Sequence, residues 1–224
     1  MPPLGEGQAL CIIARADDIL SNLPLERLQL PEAEAARIAR YLKADDRDLR
    51  RAAHGLARHC LGGLLGRAPA EIHFERDVKG RPFLAMPSDL DFNLSHSGAH
   101  VAFAVARGGR IGVDVEAAGT DYDWDFVALG ILHPSEQQAC AALSASERRQ
   151  AIRTLWSVKE ACLKATGEGL TIAPTKIVPQ PVDEGFTLRH GGYDLIIESL
   201  VLSDKVQAAI AREAKVSLAI MRLV

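Results

Sequence analysis

The sequence predicts an α+β fold built from two similarly organised halves that divide near residue 110. Three observations predict it. The hydrophobic pattern runs strand, helices, strands, then helices and strands again. A content of 48% hydrophobic and 25% charged residues is ordinary for a globular chain, and 224 residues suffice for a substantial core. Glycine and proline are scattered rather than gathered into a linker, so the halves, 1–110 and 111–224, are expected to pack tightly.

Gln8 to Ala14 read as a short buried strand. Pro31 suits a first helical position, with Ala35, Ile38 and Tyr41 on one face to about Lys43. Asp45 or Asp46 caps a second helix to about residue 66, with Ala52, Ala53, Leu56 and Cys60 inward. Arg47, Arg50, Arg51 and Arg58 make that helix basic. Ile72-His73-Phe74 alternates like a strand, and Lys79-Gly80-Arg81-Pro82 is a turn. Phe92–Leu94, Val101–Ala106 and Ile111–Val115 are further strands. A helix from Pro134 to Leu143 precedes a long one, capped by Ser144 or Ser146 and ending at Ala165. Phe186–His190, Tyr193–Leu202, Val206–Ala211 and Val216–Leu223 are again strand-like.

The net charge of −3 supplies no global field for nucleic acid or an anionic membrane, so any anion site must be local. Cysteines 11, 60, 140 and 162 show neither CxxC nor metal-ligand spacing, which suggests no disulfides. The N-terminal apolar run is too short for a signal peptide or a membrane span, and a reducing cytoplasm is the expected compartment.

Chemistry concentrates in three segments. In Trp156-Ser157-Val158-Lys159-Glu160-Ala161-Cys162-Leu163-Lys164, helical spacing puts Ala151, Leu155, Val158, Cys162 and Ala165 on one apolar stripe. Glu160 and Lys164 point nearly the opposite way, with Lys159 on the flank. A carboxylate beside two ammonium groups suits a metal and a polyphosphate held together; a merely solvated Glu–Lys pair is worth only ~0.2–0.5 kcal/mol. In Ile111-Gly112-Val113-Asp114-Val115-Glu116, the two carboxylates share one strand face with Cα atoms ~6.6 Å apart, close enough to share a hard cation such as Mg²⁺. Val113 and Val115 define the buried face, and Gly112 favours close approach by something else. In Asp91-Phe92-Asn93-Leu94-Ser95-His96-Ser97-Gly98, Ser95, His96 and backbone amides suit a phosphate; an ordinary serine turn is the plainer reading. Arg81 offers a bidentate phosphate contact. Glu136 lies where it would complement a helix dipole.

DFNLSHSG, then GVDVE, then WSVKEACLKATGEGL follow the motif order of 4'-phosphopantetheinyl transferases, and the chain's length resembles the Sfp-type group. The resemblance spans roughly residues 45–172. It implies a pseudo-dimer of two α+β halves with coenzyme A in the cleft between them. It further implies that Asp114, Glu116 and Glu160 hold Mg²⁺, and that Lys159 and Lys164 contact the coenzyme A phosphates. Arg81, Ser95 and His96 match positions around the 3'-phosphate and adenosine, with Arg50 or Arg51 supplying an arginine from the second helix.

The implied reaction moves phosphopantetheine to a serine of an acyl or peptidyl carrier protein and releases 3',5'-ADP. Asp114, Glu116, Glu160 and Lys164 carry the chemistry, with Glu160 the first candidate for proton acceptor and Glu136 the second. A monomer follows from the pseudo-dimeric architecture. Arg148, Arg149, Arg153 and the Leu163–Ile172 segment form a candidate surface for an acidic carrier helix. The alternatives are another Mg²⁺-dependent nucleotide-diphosphate phosphodiesterase, using the same carboxylates, and a catalytically silent module that binds coenzyme A or carrier proteins.

Overall fold

Two 22-residue helices, Ala44–Leu65 (α3) and Ala145–Thr166 (α6), flank two β-sheets that pack against each other. The computed structural model describes residues 3–117, 123–203 and 206–222. The strands are β1 (Gln8–Arg15), β2 (Phe74–Arg76), β3 (Pro82–Leu84), β4 (Leu90–Ser97), β5 (His100–Arg107), β6 (Ile111–Ala117), β7 (Gln180–Val182), β8 (Gly185–His190), β9 (Tyr193–Ser203), β10 (Val206–Glu213) and β11 (Ser217–Arg222). The shorter helices are α1 (Ala16–Asn22), α2 (Glu32–Ala39), α4 (Trp124–Ile131) and α5 (Pro134–Ala141).

One large sheet has the order β11-β1-β5-β4, the other β6-β10-β9-β8-β7, and β2 and β3 form a separate two-stranded sheet. The set β1, α3, β4, β5 is repeated as β6, α6, β9, β10. In each set the opening strand pairs antiparallel with the last, which pairs antiparallel with the one before it. Duplication is therefore visible in topology although no sequence repeat shows it. The chain changes sheets at the β5–β6 turn, and β11 then returns to pair parallel with β1. The tail thereby closes the sheet of the first half.

β1 and β5 are buried on both faces, which explains their unbroken apolar runs. Leu10, Ile12 and Ala14 cluster with Ala53, Leu56 and Cys60 of α3, while Cys11 and Ile13 cluster with Val113, Val115 and Ile210. α6 lies on the far side of the second sheet through Val158, Cys162 and Ala165, against Leu195, Ile197 and Ala211. All four cysteines are free and buried.

Several boundaries differ from expectation. α2 is capped by Pro31 rather than begun by it and stops at Ala39. Lys43, not Asp45 or Asp46, is the cap of α3; the two aspartates sit in its first turn, where they face the positive end of the helix dipole. α1 and α4 are additional, each too short to show a helical period. Strand β4 continues through Ser95, His96 and Ser97, and Leu223 of the expected last strand lies outside the described residues. Among the described residues no helix is long and apolar enough to cross a membrane.

The two sheets meet along the edges β4 and β6, where side chains take over from a backbone ladder. The amide of Ile111 donates to Asp91 Oδ2 at 2.8 Å, that of Val113 to Asn93 Oδ1 at 3.1 Å, that of Val115 to Ser95 Oγ at 3.3 Å, and that of Ala117 to Ser97 Oγ at 3.1 Å. Alternation along β4 places these four polar residues on one face. An edge strand otherwise left with bare amides is thus satisfied from across the cleft.

Candidate active site

Trp156, Glu160 and Lys164 follow one another at four-residue spacing on α6 and turn toward β6. Their approach is set by Gly112: a Cβ there would lie 2.2 Å from the Ala161 carbonyl oxygen and 2.4 Å from the Ala165 nitrogen. The space that glycine leaves is thus filled by the backbone of α6. Lys164 Nζ consequently reaches Asp114 Oδ1 at 2.6 Å and Ser95 Oγ at 3.1 Å, with Glu160 Oε2 at 4.0 Å. Trp156 Nε1 donates to Glu116 Oε1 at 2.9 Å, and Ser97 Oγ donates to Glu116 Oε2 at 3.3 Å.

Charge is unbalanced here. Burial, reinforced by the charge on Asp114, pushes the Glu116 carboxyl above its ordinary value despite Trp156 and Ser97. Burial also lifts Glu160; Lys164 opposes the shift and Asp114 adds to it. Asp114 is 3% exposed, and its Oδ2 has no hydrogen-bond partner. A buried acceptor left bare is costly. Asp114 and Glu160 face the Lys164 ammonium and Glu116 follows Asp114 on the same strand face, and such an all-oxygen set suits a hard divalent cation such as Mg²⁺. Among the described residues, however, no three His, Cys, Asp or Glu side chains form a closed group that could hold a metal ion. Of the expected set, Asp114 is bonded to Lys164, Glu160 lies 4.0 Å from the same ammonium, and Glu116 is bonded to Trp156.

From Lys164 a cavity of about 940 Å³ extends between the halves toward α2 and α3. Arg81 enters it from a turn in which Asp77 Oδ1 accepts from the amides of Lys79 and Arg81, both at 2.9 Å. Its Nη2 donates to Asp91 Oδ2 at 2.6 Å and to the Ile111 carbonyl at 3.0 Å, while its Nη1 is buried without a partner. His96 points to the opposite face of β4 from Ser95, where its Nε2 lies 3.1 Å from Arg50 Nη1. Burial, and then the Arg50 charge, hold the His96 imidazole below its ordinary value. Arg50 also lies over the Tyr41 ring, 4.1 Å from its centre. Lys164 and Ser95 line one end of the cavity, with Asp114 bonded behind them, and the other end is lined by arginine, histidine and Glu34. An anionic ligand long enough to reach from Lys164 to Arg50 fits that lining.

The family model described as the 4'-phosphopantetheinyl transferase superfamily matches residues 110–211, and the model of the 4'-phosphopantetheinyl transferase N-terminal region matches residues 21–107. The 4'-phosphopantetheinyl transferase HetI of Nostoc is 31% identical over 186 residues, covering 81% of this chain and 78% of the relative. The chain belongs to the 4'-phosphopantetheinyl transferase family. A second relative, the 4'-phosphopantetheinyl transferase of Bacillus subtilis, is 31% identical over 122 residues, 54% of this chain and 52% of its own length.

The transferase departs from the sequence expectations in three places and narrows one open alternative. Lys159 is wholly buried on the other side of α6, its Nζ donating to the carbonyls of Ile131 and Pro174 and to Glu136 Oε2. With its three donors satisfied it is a structural ion, not the phosphate contact that was expected. Glu136, its counter-ion and the acceptor of the His133 amide, is likewise removed from the cleft as a base candidate. Of the two second-helix arginines, Arg50 lines the cavity, whereas Arg51 lines a separate groove with Arg47 and Asp48. Arg153 is buried, and Arg148 pairs with Asp125, so the expected basic carrier surface is reduced. Three cavity or site residues went unassigned in the sequence. Trp156 stands one turn before Glu160, and His54 and Arg58 follow Arg50 at four-residue spacing on one helix face; that spacing was the available signal.

Proposed function

We propose that the protein transfers the 4'-phosphopantetheine arm of coenzyme A to a serine of an apo acyl or peptidyl carrier protein, with Mg²⁺ held by Asp114, Glu116 and Glu160. The observation that carries this reading is the buried, unpartnered Oδ2 of Asp114 beside the Lys164 ammonium, at the mouth of a cationic cavity. When bound, the metal ion would neutralise the diphosphate and stabilise charge on the departing phosphate.

The residues divide the remaining work. Lys164 supports the diphosphate oxygens, and Ser95 holds both Lys164 and Asp114 in place. Trp156 and Ser97 orient Glu116. Arg81, His96 and Arg50 receive the 3'-phosphate and the adenosine. Glu160 accepts the proton as the carrier serine forms its new oxygen–phosphorus bond, and the bond to 3',5'-ADP breaks in line. The first half, residues 1–110, supplies nucleotide contacts, and residues 111–224 supply the carboxylates and Lys164. Because one chain supplies both halves, we assign a monomer. Four buried free thiols accord with a reducing cytoplasm.

The test mixes protein, Mg²⁺, coenzyme A and several apo carrier proteins and reads intact mass. One carrier serine should gain a single phosphopantetheine, and only with the divalent ion present. Hydrolysis of coenzyme A without modification of any carrier would sink the reading.

A further inference from the structure

Arg58 is fixed by the fold more firmly than any other cation lining the cavity. It is 2% exposed; its Nε donates to the Ile72 carbonyl at 3.1 Å, its Nη1 to the His54 carbonyl at 3.3 Å, and its plane lies 4.2 Å from the centre of the Phe74 ring. Only Nη2 is left to face α2, and there it meets Glu34 Oε2. The other oxygen of Glu34 lies 2.7 Å from His54 Nδ1 and 3.5 Å from Arg37 Nη2. A structural anchor needs one partner; this carboxylate has two arginines and a histidine around it, in the cavity that also holds Arg50 with its Nε buried and unpartnered. α2 itself is weakly seated, with Ile38 as its one buried residue.

We propose that Glu34 is a gate on the phosphomonoester subsite: an internal anion, seated on Arg58 and His54, that the 3'-phosphate of coenzyme A must displace. A phosphomonoester brings nearly two charges and three acceptor oxygens where Glu34 brings one charge. Ligands with the terminal phosphate therefore expel Glu34 and release α2, and ligands without it leave the gate shut. Selectivity arises because a nucleotide that cannot exchange with Glu34 loses the Arg58 contact. The inference rests on the transferase reading, since it takes coenzyme A as the ligand.

Titration calorimetry with coenzyme A, 3',5'-ADP and dephospho-coenzyme A, on wild type and Glu34→Gln, tests it. Removing the internal competitor should tighten coenzyme A and 3',5'-ADP about tenfold, the scale of one charge-assisted contact, and leave dephospho-coenzyme A within roughly twofold. Weaker coenzyme A binding by Glu34→Gln, or equal change for all three ligands, overturns the gate and leaves the transferase reading standing. Wild type that binds none of the three overturns both. Hydrogen exchange on the wild-type protein is independent of how the variant folds. Residues 32–39 should exchange faster with coenzyme A than with dephospho-coenzyme A, and equal or slower exchange overturns the gate.

Discussion

Asn93 Oδ1 accepts the amide of Val113 at 3.1 Å, and both residues are buried where the two sheets meet. It is one rung of four that replace a backbone ladder with side chains, so each rung fixes both the sheet interface and the position of Asp114 and Glu116. Asn93→Leu should leave a buried amide bare and cost about 1–3 kcal/mol. A urea midpoint that does not fall would show that water or a backbone shift satisfies Val113 instead.

Lys159 and Lys164 sit five positions apart on α6 and should respond to mutation in opposite ways. Lys159→Ala strands Glu136, whose side chain is 10% exposed, and should cost about 3–5 kcal/mol, seen as a large fall in thermal midpoint. Lys164→Ala, at a side chain 25% exposed, should keep the thermal midpoint close to wild type while transfer collapses and coenzyme A binds more weakly. The reverse pattern would exchange the two roles.

Asp114→Ala and Glu160→Ala should abolish transfer in proteins that still unfold cooperatively. Trp156→Phe, which keeps the ring but removes the donor to Glu116, should weaken Mg²⁺ activation or activity about 10–100-fold. Near wild-type transfer in Asp114→Ala would remove the metal assignment.

Gly112→Ala adds a methyl group where the α6 backbone already rests on β6. Overpacking of this kind typically costs about 1–3 kcal/mol, and the shift should pull Lys164 off Asp114, lowering stability and transfer together. Unchanged activity would show that the two elements can separate without cost to the site.

His96 supplies a pH dependence whose sign is fixed by its burial. Burial and Arg50 place its folded value below the ordinary 6.5, so the unfolded chain binds the proton more readily. Stability is present above the unfolded value and is lost as pH falls from there toward the depressed folded value. His59 and His100 are depressed in the same direction by burial, so His96→Gln should reduce the slope of urea midpoint against pH between about 7 and 5 without abolishing it. An unaltered slope would show that His96 binds protons equally in the native and unfolded states, so that burial does not depress it.

What the sequence determined by itself was local and periodic. The alternation of Asp114 and Glu116, the stripe on α6 and the four-residue step from Glu160 to Lys164 follow from 2-residue and 3.6-residue periods, and the structure places these groups together. The motif order also indicated the family. Tertiary structure alone decided which neighbours those periods face. Lys159 and Lys164 are chemically alike, and only the packing of α6 between the second sheet and α4–α5 makes one a buried ion and the other a cleft cation. The glycine of GVDVE signalled close approach without saying that a helix backbone was the body approaching. The return of β11 to β1 and the β4–β6 rungs link residues far apart in the chain, and no local period encodes a pairing at that separation. The seat of Glu34 on Arg58 and His54 joins α2 to α3 through side chains, so it too could be read only once the chain was folded.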